Sequence, residues 1–140
     1  MRHRTAFTLI ELVVVVLVVG ILAAVAAPRM MDAADSAQEA ALRQSLLVLR
    51  NAIEYHRAQN DAYPGDSGTE ADLKADLEAF IKSFPVNPVK ESASVAVQTT
   101  GAEITSALNG SIGWRYDNKS GQIVANSNGT GSDGIRYHLW

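Results

Sequence analysis

Glu11 is the residue that most demands a chemical explanation. It stands in the run from Phe7 to Ala27, where 18 of 21 residues are apolar and the exceptions are Thr8, Glu11 and Gly20. A carboxylate inside such a run needs a partner or a route to water. The small residue Ala6 follows the basic start Arg2-His3-Arg4 and Thr5. Cutting the chain between Ala6 and Phe7 would give Phe7 a new α-amino group, four positions before Glu11 and so one helical turn away. Cation and anion then lie at the same depth and can neutralise each other, within one chain or between neighbouring chains. A carboxylate that merely snorkels to water would leave Ala6-Phe7-Thr8-Leu9-Ile10-Glu11 unexplained as a pattern.

The oxygen-rich C-terminal loops are the second candidate. Calcium takes about six to eight oxygen ligands, and Asp117, Asn126, Asn128 and Asp133, with Asn118 nearby, offer some of them. The competing reading is ordinary Asx and glycine turns, and only two of the four candidates carry charge. Little else suggests catalysis. His3, His56 and His138 have no metal-ligand spacing, and His56 is expected on the exposed or partner-facing side of a long helix. No Gly-x-Ser-x-Gly nucleophile motif occurs. The absence of cysteine excludes a disulfide scaffold, a thiolate metal site and a cysteine nucleophile. Arg136-Tyr137-His138 with Trp140 interleaves basic and aromatic residues as a nucleic-acid patch would. The net charge of −3 and the alternation of Ile135, Tyr137 and Leu139 favour a terminal strand closing a sheet instead.

The elements that must position these groups fall into two solvents. A chain of 140 residues has room for one small domain. The 21-residue apolar run makes a helix about 31 Å long, matching a hydrocarbon core of about 30 Å. In lipid the backbone must satisfy itself, so the valine-rich stretch Val13–Val16 is forced into a helix despite its β-branched side chains. Arg2 and Arg4 on one side against Arg29 on the other place the N-terminus in the cytoplasm. The run is longer than the h-region of a secretory signal peptide, about 7–15 residues, which also rarely holds a carboxylate. From Met30 to Ala62 there is no glycine or proline, and Leu42, Leu46, Leu49 and Ile53 form a stripe. The helix is expected to continue to about Gln59, with a kink at Pro28. Asp32, Asp35, Glu39, Arg43 and Arg50 are expected on the face opposite the stripe.

Asn60-Asp61-Ala62-Tyr63-Pro64-Gly65-Asp66 is dense in turn formers and stops that helix. Thr69 with Asp72 opens a shorter helix, expected to run through Lys82 with Leu73, Leu77, Phe80 and Ile81 on one face. Asp72, Asp76 and Glu78 are then a solvated face. Phe84-Pro85-Val86-Asn87-Pro88 ends it. Strands are expected around Val95 and Val97, over Ile112–Tyr116, over Gln122–Ala125 and over Ile135–Trp140. The fold class is α+β, a long N-terminal helix packed by its C-terminal half on a small antiparallel sheet. The boundaries are 1–6 for a leader, 7–28 for the membrane helix, 29–60 for its amphipathic continuation and 61–140 for a globular head.

The basic start, Ala6, Phe7-Thr8-Leu9-Ile10-Glu11 and the long apolar helix, with Gly20 and Pro28 at matching spacings, resemble the class III signal of type IV pilins and type II secretion pseudopilins. Tyr63-Pro64 and Gly113-Trp114 followed by Gly121 add a shorter likeness to pseudopilin heads. The resemblance implies a pilin fold, cleavage between Ala6 and Phe7 by a prepilin peptidase on the cytoplasmic face, and N-methylation of Phe7. It implies that Glu11 pairs with the Phe7 amine of an adjacent subunit in a helical filament, with Gly20 and Pro28 in the same assembly region. Ala6 departs from the family, which most often has glycine there. The resemblance also brings an expectation of calcium in a C-terminal loop, although the acidic pattern of that loop does not align here. It implies a single-pass inner-membrane subunit with an extracytoplasmic head that drives type II secretion without catalysis. Its partners would be other copies, other pseudopilins, the prepilin peptidase and an inner-membrane assembly platform. Many type IV pilins close a C-terminal loop with a disulfide, so the lack of cysteine leans toward a pseudopilin. The alternatives are a minor type IV pilin and a membrane-tethered extracytoplasmic binding module.

Overall fold

The computed structural model describes residues 8–140. Ala6 and Phe7 therefore lie outside the described residues. The first helix, α1, spans Leu9–Asn60 and runs through Pro28 without a break. The chain divides within α1 into two compact units, one ending at Ser36 and one from Ala37 to Trp140.

In the first unit α1 begins with a reciprocal cap. The Glu11 N–H donates to Thr8 Oγ1 at 3.3 Å, and the Thr8 N–H donates to Glu11 Oε2 at 2.9 Å. This is a capping box, in which a Thr and a Glu three residues apart satisfy two backbone donors at the helix start. The large apolar side chains from Leu9 to Val25 are 49–81% exposed.

In the second unit the stripe on α1 becomes the core. Leu42, Leu46, Leu49, Ala52 and Ile53 are buried against Leu73 and Leu77 of α2 (Glu70–Leu77) and against three strands. Thr69 caps α2, its side chain accepting the Asp72 N–H. Helical structure ends at Leu77 and not at Lys82. Asp72 and Asp76 are not simply solvated, because they accept the N–H groups of Ser67 and Gly65 and so close the preceding loop.

The strands are β1 (Val95–Gln98), β2 (Trp114–Asp117) and β3 (Ile123–Ala125), in the order β1-β2-β3. Trp114 and Tyr116 point into the core, as their spacing requires. The sheet is mixed and not wholly antiparallel, because β1 pairs parallel with β2 while β2 and β3 form a hairpin. The cause is the irregular segment 99–113, which crosses over and re-enters in the same direction. The expected terminal strand is also absent among the described residues. Tyr137–Leu139 is a short 3₁₀ turn, preceded by one isolated bridge between Thr130 and Arg136.

The β2–β3 turn shows why one glycine is required. Gly121 has φ +72°, and a Cβ there would lie 2.2 Å from the ring of Tyr63. Gly121→Ala is expected to cost about 2–4 kcal/mol, from left-handed backbone strain and displacement of the ring. Thermal unfolding of the full chain in detergent should show a midpoint about 10 °C lower.

Candidate functional site

Two regions could carry function, the start of α1 and the loops at the two ends of the β2–β3 hairpin. At the first, Glu11 is held beside Thr8, whose hydroxyl donates to the same carboxylate oxygen at 2.8 Å. The carboxylate thus sits at a helix start, where the dipole favours an anion. Its second oxygen, Oε1, makes no hydrogen bond within the described residues. Gly20 faces open space, and a Cβ placed on it would meet nothing within 4 Å beyond its chain neighbours and its own helix backbone. The Thr-x-x-Glu signature was legible in the sequence, yet Thr8 did not stand out as a functional residue beside Glu11.

At the hairpin turn, Asp117 is fully buried and acts as a hub. Its Oδ1 accepts the N–H groups of Lys119 and Ser120, both at 2.8 Å, and the Ser120 hydroxyl. Its Oδ2 accepts the N–H groups of Thr100 and Gly101, the Thr100 hydroxyl and the Gln98 amide. Burial alone would push this carboxyl up, but those donors outweigh it and hold Asp117 well below the usual carboxylate range. Beside it the Tyr116 hydroxyl donates to the Pro64 carbonyl at 3.0 Å, and burial, first of all, pushes that phenol up.

The other expected calcium ligands lie elsewhere. Asn126 follows β3, at the end of the hairpin away from Asp117, and the register Trp114↔Ala125 to Tyr116↔Ile123 separates the two ends by about 10 Å. Its Oδ1 accepts the Leu108 N–H at 2.5 Å and its Nδ2 donates to the Ile112 carbonyl. Asn128 accepts the Ala107 N–H. Both amides therefore fasten the 99–113 crossover to the hairpin. Asp133 is turned toward α1, where its Oδ2 accepts from Arg43 at 2.5 Å while its Oδ1 accepts the Ile135 N–H. The Ile135 amide first, with help from the Arg43 guanidinium, holds the Asp133 carboxyl below its usual range. The four residues do not form one oxygen cage, and no cluster of three or more His, Cys, Asp or Glu suited to a metal occurs among the described residues.

The two histidines among the described residues, His56 and His138, pack within the second unit. His56 is not on an exposed face; it wedges between the end of α1 and α2, with Nδ1 3.1 Å from the Ala62 carbonyl and its ring edge-on to Phe80. His138 is buried against the Ser127 carbonyl. Three charged residues expected opposite the apolar stripe are instead at its border. At 100° per residue, Glu39, Arg43 and Arg50 fall beside Leu42 and Leu46, and all three contact the C-terminal segment.

Comparison with known proteins adds to this geometry. Residues 1–27 match the prokaryotic N-terminal methylation motif. The chain is 32% identical to the type II secretion system core protein G of Pseudomonas aeruginosa over 98 aligned positions, covering 62% of this chain and 69% of that protein. It is 32% identical to the protein of the same name from Aeromonas hydrophila, covering 62% of this chain and 68% of the relative. With that of Vibrio cholerae it shares 36% identity over 72 positions, and there it spans 49% of the relative. No solved structure gives a significant match.

Proposed function

The chain belongs to the type II secretion system core protein G family, and from that premise we propose that it is a structural subunit, not an enzyme, of a secretion filament built on α1. One observation carries this reading: every large apolar side chain from Leu9 to Val25 is about half or more exposed. A helix of that length and composition is long and apolar enough to cross a membrane. Lipid covers it before assembly, and the helices of neighbouring subunits cover it afterwards. The head stays on the extracytoplasmic side, and the work done is mechanical, through polymerisation.

Processing makes the helix competent. A prepilin peptidase cuts between Ala6 and Phe7, and methylation of the new amine leaves a cation one turn from Glu11. The amine of one subunit meets the Glu11 carboxylate of the next in the filament core, near Gly20 and Pro28, on an inner-membrane assembly platform with other pseudopilins. N-terminal sequencing and intact mass of the protein from its native membrane test this. The expected product is a 134-residue chain that starts at N-methylated Phe7 and carries ten cations and fifteen anions, ignoring the termini. A membrane-tethered binding module would keep Met1, and that result would reject the filament reading.

A further inference from the structure

The last fifteen residues, 126–140, form no strand, and ordering so irregular a segment is entropically costly. Side chains of α1 hold it down. Glu39 accepts the Ser132 N–H on one carboxylate oxygen and the Ser132 hydroxyl on the other, both at 2.7 Å. One turn on, the Arg43 guanidinium pairs with Asp133 at 2.5 Å and lies 3.7 Å over the ring of Trp140. Two turns further, Arg50 donates to the backbone carbonyls of Ile123 and Trp140. The segment closes on itself as well. A Cβ on Gly131 would come within 2.2 Å of the Trp140 ring, and Tyr137 packs edge-on to that ring at 4.7 Å.

The contacts leave little for a cation. Both oxygens of Asp133 are engaged, by Arg43 and by the Ile135 N–H. The Asn126 and Asn128 carbonyls already accept Leu108 and Ala107. A divalent ion at this loop would have to displace a guanidinium from the only side-chain carboxylate in 126–140. We propose that the Glu39–Arg43–Arg50 row of α1 latches the C-terminal segment in place of a bound divalent cation, so that the head holds its shape without calcium. The inference concerns the head alone and stands whether or not the chain assembles.

Hydrogen exchange of the full chain in detergent, read on peptides covering 128–136, tests it with calcium chloride as the probe. Exchange in this region should be the same in millimolar calcium as in chelator. Arg43→Ala and Glu39→Ala should each speed it about tenfold, while peptides from β2 and β3 stay protected. Arg43→Lys keeps the charge but loses the planar guanidinium over Trp140, and should fall between wild type and Arg43→Ala. Slower exchange of the wild-type segment in calcium would overturn the proposal. So would Glu39→Ala and Arg43→Ala variants that exchange like the wild type.

Discussion

Glu11→Ala subunits are expected to enter the membrane and to be cleaved after Ala6 as the wild type is, yet to yield filaments at less than a hundredth of the wild-type level. Removing a carboxylate makes the segment more apolar, so insertion does not suffer. Assembly does, because each incoming Phe7 amine meets no anion in an apolar helix bundle. Stranding one partner of a buried pair costs about 3–5 kcal/mol, and each 1.4 kcal/mol is a factor of ten. The capping box at Thr8 supplies the control. Glu11→Ala also loses that cap, worth about 1 kcal/mol, so it alone does not separate capping from pairing. Glu11→Gln does, because glutamine can complete the same box but carries no charge. Sheared filaments from cells with equal membrane levels of each subunit are the measurement. If Glu11 only caps α1, Glu11→Gln assembles normally; if it meets an amine, Glu11→Gln fails almost as badly as Glu11→Ala. Thr8→Ala should lower yield far less than either.

Asp117→Ala is expected to be the most damaging polar substitution in the head. It removes the acceptor of seven hydrogen bonds and leaves the N–H groups of Thr100, Gly101, Lys119 and Ser120 to find new partners in partly buried loops. Stranded buried donors cost about 1–3 kcal/mol each, and partial rescue by water leaves a total of about 3 kcal/mol or more. The thermal midpoint should fall by about 12 °C or more. The sign of the pH dependence follows from the lowered carboxyl. Unfolded Asp117 titrates at about 3.9, while the folded group keeps its charge to lower pH. Its stabilisation is therefore complete above that value and is lost as pH falls below it. Melting curves from pH 5 down to pH 3 should show a steeper loss for the wild type than for Asp117→Asn, whose amide does not titrate. Parallel curves would mean that the Asp117 charge contributes nothing to the folded head.

Much of this protein was set by local pattern. The apolar run with one carboxylate, the stripe Leu42–Ile53, the stop at Asn60 and the alternation of Trp114 and Tyr116 each act within a few residues. Helix α1, its end, α2 and all three strands could therefore be read from composition and period. Glu11 could be singled out for the same reason, since a charge among valines is conspicuous at any tertiary arrangement. Whether a counter-charge meets it, from the same chain or a neighbour, is not a local property.

Tertiary structure decided what depends on direction and distance. Alternation marks β1 and β2 as strands but does not say that segment 99–113 returns the chain parallel. Asp117, Asn126, Asn128 and Asp133 are close in sequence and alike in chemistry, which suggested one oxygen site. The antiparallel hairpin carries Asp117 and Asn126 to opposite ends, and Arg43 draws Asp133 to α1. Ile135–Trp140 alternates like a strand, but the stacking of Trp140 under Arg43 and on Gly131 turns it into a 3₁₀ turn. Charges at positions 39, 43 and 50 look like a solvated face because sequence shows their spacing and not what arrives ninety residues later to meet them.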